Sequence, residues 1–298
     1  GIGRTEEEHD KYRAKGPGRI SPFFVPMMIG NMAAGQVAIR TGFRGDNFCT
    51  TTACASATHA IGEAFRKIKD GYLDVCLCGG SESTITEFTL GGFRTMKALT
   101  TETDPAKAST PFDLNRGGFV LGEGSAVLVL EEYEHAKARG AKIYCEVAGW
   151  GVSSDAFHIT APQPQGEGQM AALHRAMVNA GTEAGDIGYI NAHGTGTAKN
   201  DAAEFLSLHT LFEGAAPSVS STKSMTGHCL GAAGAIEAVL SVKALTENTV
   251  LPTTGYAPED LAPLAEKAGN LDCVVNVAHD RELENVMSNS FAFGGTNA

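Results

Sequence analysis

Two helices built largely of small residues restrict this chain more than any other feature. Residues 55–70 and 230–246 each follow a run that reads as a strand and then a polar, Gly/Ala-rich turn. Alanine and glycine at these densities let helices pack closely, and strand-turn-helix units in series belong to layered α/β folds. In the first helix Ala57, Ala60, Ile61, Ala64, Phe65 and Ile68 share one face at helical spacing, with Arg66, Lys67 and Lys69 elsewhere. Setting Cys54 against His228 brings Glu63 opposite Glu237 and Ala64 opposite Ala238, which hints at a duplicated unit.

The rest of the chain follows the same alternation. Residues 1–47 read as loop and helix broken by Pro17, Pro22 and Pro26, with a short helix over 27–40. A strand over 47–53 leads to the first small-residue helix, closed by Gly71, and a buried strand spans 72–78. After a Gly-, Thr- and Ser-rich stretch come a strand over 118–130 and a surface helix over 131–139. A second series begins near residue 143, with strands over 143–149, 187–192 and 218–222 and helices over 167–180, 201–212 and 230–246. The division expected is therefore 1–142 and 143–298, two halves of one α/β architecture.

Bulk properties exclude several classes. Lys and Arg number 23 against 34 Asp and Glu, a net charge of −11 that argues against general nucleic-acid binding. No apolar run approaches membrane-spanning length, and residues 1–15 are too charged for a signal peptide. The seven cysteines have spacings of neither a disulfide framework nor a zinc site, and Cys76 and Cys78 lie in an apolar strand. Reduced thiols point to a cytoplasmic compartment. The chain opens on Gly1-Ile-Gly3 and stops at Gly294-Gly-Thr-Asn-Ala298, so it reads as a piece of a longer protein.

Three residues stand in settings suited to chemistry. Cys54 lies at a strand-to-helix junction in Phe48-Cys-Thr-Thr-Thr-Ala-Cys-Ala-Ser-Ala-Thr-His-Ala-Ile-Gly-Glu63. A helix start favours thiolate, and a thiol held there is placed to attack a carbonyl and carry an acyl group. His193 lies in the glycine- and hydroxyl-rich turn Asn191-Ala-His-Gly-Thr-Gly-Thr197, and His228 ends Ser220-Ser-Thr-Lys-Ser-Met-Thr-Gly-His228. Neutral imidazoles on such turns donate N–H to a developing oxyanion. The other seven histidines (9, 59, 135, 158, 174, 209 and 279) read as structural or exposed. The glycine-flanked loop Asn289-Ser-Phe-Ala-Phe-Gly-Gly-Thr-Asn297 adds a backbone N–H and an apolar gate.

Over its whole length, and most specifically in these four runs, the chain resembles the type II β-ketoacyl-[acyl-carrier-protein] synthases of the thiolase-like superfamily. The resemblance implies a five-layered α-β-α-β-α sandwich of two similar halves, with part of the first half and the final strand outside this chain. It also implies that these 298 residues alone fold poorly or lack activity. The activity implied is a decarboxylating Claisen condensation that lengthens fatty acyl chains, run by a cytoplasmic homodimer with acyl carrier protein as partner. No cofactor, metal, nucleic acid or membrane is implied. Carried over by motif, Cys54 is the nucleophile, and His193 and His228 stabilise the enolate formed as malonyl thioester loses CO₂. The N–H groups of Cys54 and Phe293 form the other oxyanion hole, and Lys223 supports the site through a network with Glu204; Glu237 is a second supporting carboxylate. Thr195 and Thr197 bind the phosphopantetheine arm, while Ile2, Phe293 and Phe93 line the acyl pocket and its gate. Arg19, Arg94 and Lys97 are placed to dock the acidic carrier.

Rivals within the superfamily fit less well. A degradative thiolase needs a second cysteine near the C-terminal loop, and none follows Cys273. A third-class initiating synthase pairs its histidine with Asn where this chain has His228. A polyketide ketosynthase shares the Cys-His-His set but commonly carries Asp-Thr-Ala-Cys-Ser-Ser, and a chain-length factor lacks the cysteine altogether. The stretch 113–142 and Asp155-Ala-Phe-His158 favour the second elongating subtype. Two departures stand out. The usual Gly-Phe-Gly-Gly gate reads Ala292-Phe-Gly-Gly295, a methyl expected to stiffen loop opening, and Ala198 replaces a common proline.

Overall fold

A computed structural model describes residues 1–269 and 271–298, and in residues 262, 263, 265 and 266 the backbone only. Three helices come first: α1 (Ile2–Lys15), α2 (Phe24–Met28) and α3 (Met32–Thr41). The single helix expected over 27–40 is thus two, parted by Ile29, whose ψ of 135° is extended, and Gly30. Then follow α4 (Ser56–Lys69), β1 (Val75–Glu82), α5 (Glu87–Thr95), β2 (Gly124–Glu131) and α6 (Tyr133–Ala138). The second series holds β3 (Ser153–Ser154), α7 (Glu167–Ala180), β4 (Tyr189–Asn191), α8 (Ala198–Leu211) and β5 (Ser218–Ser220). It continues through α9 (Lys223–Thr226), α10 (Ala233–Glu247), β6 (Thr249–Val250), α11 (Pro258–Ala268) and β7 (Asp272–Cys273). Four short strands end it: β8 (His279–Asp280), β9 (Val286–Ser288), β10 (Phe291–Ala292) and β11 (Thr296–Asn297).

The elements stack in layers. β1 and β2 pair antiparallel from Val75 opposite Glu131 to Glu82 opposite Gly124. A second sheet runs β7-β5-β4-β9, all parallel, with Tyr189 opposite both Ser218 and Val286. Strands β4 and β5 are buried throughout, as parallel strands covered on both faces must be. Helix α10 lies between the sheets, touching β1 and β2 on one side and β9 on the other, with α4 beside it on β1. On the far face of the parallel sheet, Leu173 and Met177 of α7 and Phe205 and Leu208 of α8 pack against Ile190 and Val219.

The small residues are where the layers touch. A Cβ on Gly80 of β1 would meet the Gly231 carbonyl at 2.8 Å and the Ala57 Cβ at 2.9 Å, so strand and both central helices converge there. A Cβ on Gly234 would stand 2.0 Å from Thr58 Oγ1, the crossing of α10 over α4. Gly62, on another side of α4, seats the Trp150 ring. Larger side chains at these points would overpack the core.

The hint of duplication holds in a shifted register. Ala53 (φ 49°) and Leu230 (φ 44°) are both left-handed, and each opens one 3₁₀ turn, Ala53–Ala55 and Leu230–Ala232, that runs into α4 and α10. Cys54 therefore corresponds to Gly231, and His228 lies three residues before that position. The match of Glu63 to Glu237 dissolves with it: Glu63 is part exposed beside Arg66, while Glu237 is buried. Residues 47–53 and 143–149 also form no ladder among the described residues, although both read as strands. A β-branched run becomes a strand only where a neighbour accepts its hydrogen bonds. The run over 118–130 begins as isolated bridges, Leu99 with Phe119 and Leu121 with His228, before the β2 ladder proper.

Candidate active site

The cysteine turn, two histidine turns and the C-terminal hairpin meet at one buried point. Cys54 is held in the 3₁₀ turn before α4, and β10 and β11 of the hairpin pack against that turn. His193 follows β4, and His228 follows α9, so each enters from the end of the parallel sheet where its strands' carboxyl ends lie. His228 Nε2 is 3.1 Å from Cys54 Sγ. The His193 ring stands edge-on to His228 with centroids 5.3 Å apart. All three side chains are buried.

Their protonation states follow from burial and one cation. Burial, reinforced by Lys223, holds both imidazoles well below the usual histidine range, so they are neutral donors rather than cations. Burial pushes the Cys54 thiol up to about 11, with the Lys223 charge opposing. This corrects the expectation of a thiolate: desolvation outweighs the helix start, and the resting cysteine is a thiol.

Lys223 Nζ lies 3.4 Å from His193 Nδ1 and forms a buried ion pair with Glu237 of α10. An ammonium donates only, so it fixes His193 as the tautomer bearing its proton on Nε2. His228 is different, because its Nδ1 is buried with no hydrogen-bond partner among the described residues. Its ring is free to carry the proton on either nitrogen. The supporting network expected between Lys223 and Glu204 is thus divided, with Glu237 as the lysine's direct partner. Glu204 of α8 instead accepts the backbone N–H of His193 (2.7 Å) and of Gly194 (2.8 Å), and burial lifts it to about 7.

The remaining expected residues are spread around this centre. Thr195 and Thr197 share a 2.9 Å hydroxyl–hydroxyl bond on the His193 turn. Phe93 on α5 packs edge-on to Phe119 (5.4 Å), whose ring in turn meets His228 edge-on (5.2 Å). Phe293 caps the hairpin between β10 and β11 and is half-buried. Ile2 opens α1, which the Gly1 amine ties to the Met27 carbonyl at 2.7 Å. Arg19, Arg94 and Lys97 are exposed. The hairpin's two left-handed positions are Gly294 (φ 86°) and Gly295 (φ 71°), and Ala292 is an ordinary β10 residue whose methyl strains no backbone. Ala198 is the first residue of α8, a position proline suits but does not own.

Other contributors carry no motif of their own. Asp201 accepts the N–H groups of Phe112, Thr195 and Gly196, and so shapes the His193 turn. Phe119 supports the His228 ring from a stretch that reads only as an apolar strand start. Thr52, Ser56 and His59 brace the cysteine turn through hydrogen bonds that only the fold reveals. The one usable signal is their place inside the cysteine run.

Two family models cover most of the chain: beta-ketoacyl synthase, N-terminal domain, over residues 1–136, and beta-ketoacyl synthase, C-terminal domain, over residues 144–257. The chain is 51% identical to 3-oxoacyl-[acyl-carrier-protein] synthase 2 of Rhizobium meliloti (strain 1021), matching all of this chain and 71% of that protein. Identity to the protein of the same description from Staphylococcus aureus (strain COL) is 46%, again over all of this chain and 71% of the relative. Among solved structures, a β-ketoacyl synthase from Burkholderia phymatum STM815 superposes with TM-score 0.90 at 36% identity, over 99% of this chain and 70% of that one. A type II PKS ketosynthase, bound to a hexaketide and in complex with its acyl-carrier protein, gives TM-score 0.90 at 32% identity, over 99% and 73% of the two chains.

Proposed function

This chain belongs to the β-ketoacyl synthase family, with a thiolase-like fold, and on that premise we propose that it lengthens fatty acyl chains by decarboxylating condensation. The acyl group is carried on Cys54, and the extender is malonyl-[acyl-carrier protein]. The observation that carries this reading is the buried Cys54–His228 contact with a second neutral imidazole beside it.

In the first half-reaction the Cys54 proton passes to His228 Nε2 and Sγ attacks the acyl thioester carbonyl. The N–H groups of Cys54 and Phe293 hold the oxyanion. Collapse expels the pantetheine thiolate, which departs with the proton. In the second, His193 and His228 donate N–H to the malonyl thioester oxygen, and CO₂ leaves with the C–C bond pair becoming an enolate. That carbon attacks the Cys54 thioester, and collapse expels the Cys54 thiolate, which is returned to the thiol by a proton taken up from solvent by way of His228. His193, locked by Lys223, serves only as a donor. His228, with Nδ1 unpinned, suits both tasks. Thr195 and Thr197 hold the pantetheine arm, and Ile2, Phe93 and Phe293 line the acyl path.

The carrier protein loaded with an acyl chain, then its malonyl form, added in sequence and followed by mass spectrometry, test the proposal. An acyl adduct on Cys54, discharged as a β-ketoacyl product two carbons longer, is the expected result; an enzyme that stays unmodified overturns it. A polyketide-type role would appear as repeated extension without reduction, and the higher identity to fatty-acid synthases disfavours it. A chain-length-factor role requires no thiol, and Cys54 is present.

Partners and setting extend the same reading. The protein works as a cytoplasmic homodimer, consistent with exposed Val25 and Ile39 on the first helices, exposed Phe23 and Phe43 beside them, and cysteines that are all free. Among the described residues no helix is long and apolar enough to cross a membrane. Light scattering that gives a monomer at micromolar concentration would remove the dimer. Arg19, Arg94 and Lys97 dock the carrier. Charge reversal at Arg94 or Lys97 is expected to raise the KM for acyl-carrier protein at low salt and to matter little at high salt. An unchanged KM would discharge these residues from the role.

A further inference from the structure

The Ser56 hydroxyl makes two bonds across the nucleophile. It donates to the Ala53 carbonyl at 2.7 Å and accepts the Thr52 N–H at 2.9 Å. Cys54 lies between the residues so tied. The Ala53 carbonyl and the Cys54 N–H belong to one peptide unit, and in a trans peptide they point in opposite directions. Pinning the oxygen therefore aims the N–H. The turn needs such a restraint, because Ala53 is left-handed at φ 49°, a backbone state that non-glycine residues adopt at a cost.

We propose that Ser56 is a positioning residue for the acyl-transfer oxyanion hole, fixing and polarising the Ala53–Cys54 peptide so that the Cys54 N–H faces the reacting carbonyl. Donation to a carbonyl strengthens the N–H of the same amide as a donor, since hydrogen bonds in a chain polarise one another. The Ser56 backbone N–H donates to the same Ala53 carbonyl as it closes the 3₁₀ turn, and the hydroxyl adds the side-chain donor to that oxygen. Thr50 Oγ1 donates to the Ser56 carbonyl at 2.8 Å, and His59 Nδ1 lies 3.1 Å from the Ala55 carbonyl and 3.2 Å from Thr52 Oγ1. These contacts brace the backbone on either side of the Ala53–Cys54 unit. The Ala55 N–H is taken by the Thr52 carbonyl at 3.1 Å, while the Cys54 N–H turns toward its own sulfur, on the side where an acyl carbonyl must arrive.

The inference rests on Cys54 as the acyl carrier, and two reactions of that thiol separate it from that reading. Thioester attack builds an oxyanion; alkylation by iodoacetamide does not. In Ser56→Ala, single-turnover acylation from the acylated carrier protein is expected to slow about threefold to tenfold, well short of full loss of an oxyanion donor because the Ser56 N–H still holds the Ala53 carbonyl. The KM for the carrier, the alkylation rate of Cys54, and malonyl decarboxylation at the histidines should stay at the wild-type level. Ser56→Thr, which keeps the hydroxyl, should retain acylation. Equal loss of acylation and alkylation would show that Ser56 only keeps the turn folded, and unchanged acylation would show that it does nothing for the oxyanion; either overturns the inference. Failure of the wild-type protein to acylate at Cys54 would instead sink the functional reading.

Discussion

Cys54→Ala is expected to lower condensation by about 10⁴ or more, the scale seen when a nucleophile is removed from a covalent mechanism. Malonyl-carrier protein should still lose CO₂ in this variant, because the donors for that step are His193 and His228. The same geometry sets a pH dependence. The thiol is raised to about 11 by burial, and the imidazoles lie well below the usual histidine value. Between those limits both partners are neutral, and a proton moved from Sγ to Nε2 over 3.1 Å stays inside the site. Acylation of Cys54 is therefore expected to be flat from about pH 7 to 9, since no proton is exchanged with solvent. A tenfold rise per pH unit in the wild-type protein would mean the thiol ionises into water instead, and would exclude His228 as acceptor. In His228→Ala the flat profile should become that climbing one. Stopped-flow acylation across this range measures both.

The groups assigned to the chemistry are readable because each lies in a short local run. A thiol at a strand-to-helix junction and a histidine on a glycine turn announce themselves through neighbours within a few residues. Who pairs with whom is a long-range matter. Lys223 and Glu204 look like partners from their motifs, yet the fold gives the lysine to Glu237, fourteen positions away across the start of α10. Phe119 reaches His228 through a bridge between Leu121 and His228 that no periodicity encodes. The left-handed Ala53 and Leu230 are invisible as residue types, and they alone reveal the true register of the repeated turns. Residues 47–53 carry strand propensity without a described ladder, because propensity supplies one side of a hydrogen-bonded pair and never the other.

Lys223→Met is expected to destabilise the protein by about 3–5 kcal/mol, because it strands a carboxylate in the core. Lys223 and Glu237 are each about 1% exposed, so neither charge has water to fall back on. The partner substitution completes the cycle. Lys223→Met with Glu237→Leu should regain most of the lost stability, since a buried pair replaced by apolar volume often costs little. Decarboxylation should not return with it. His193 Nδ1 would have lost the donor that fixes its proton on Nε2, so one of the two enolate donors would be present only part of the time. Proton linkage gives a further sign to check. Burial lifts Glu237 from 4.5 to about 6 even beside the ammonium. A carboxyl raised in the folded state favours folding below its unfolded value, and that contribution is lost as pH climbs through the folded one. Without Lys223 the rise is larger. The Lys223→Met penalty should therefore be small near about pH 5, where Glu237 takes up a proton, and largest near about pH 8. Urea midpoints of the four proteins at both values read it directly. A penalty independent of pH would mean Glu237 is not the group left uncompensated, and recovery of decarboxylation in the double variant would mean Lys223 acts on the fold rather than on His193.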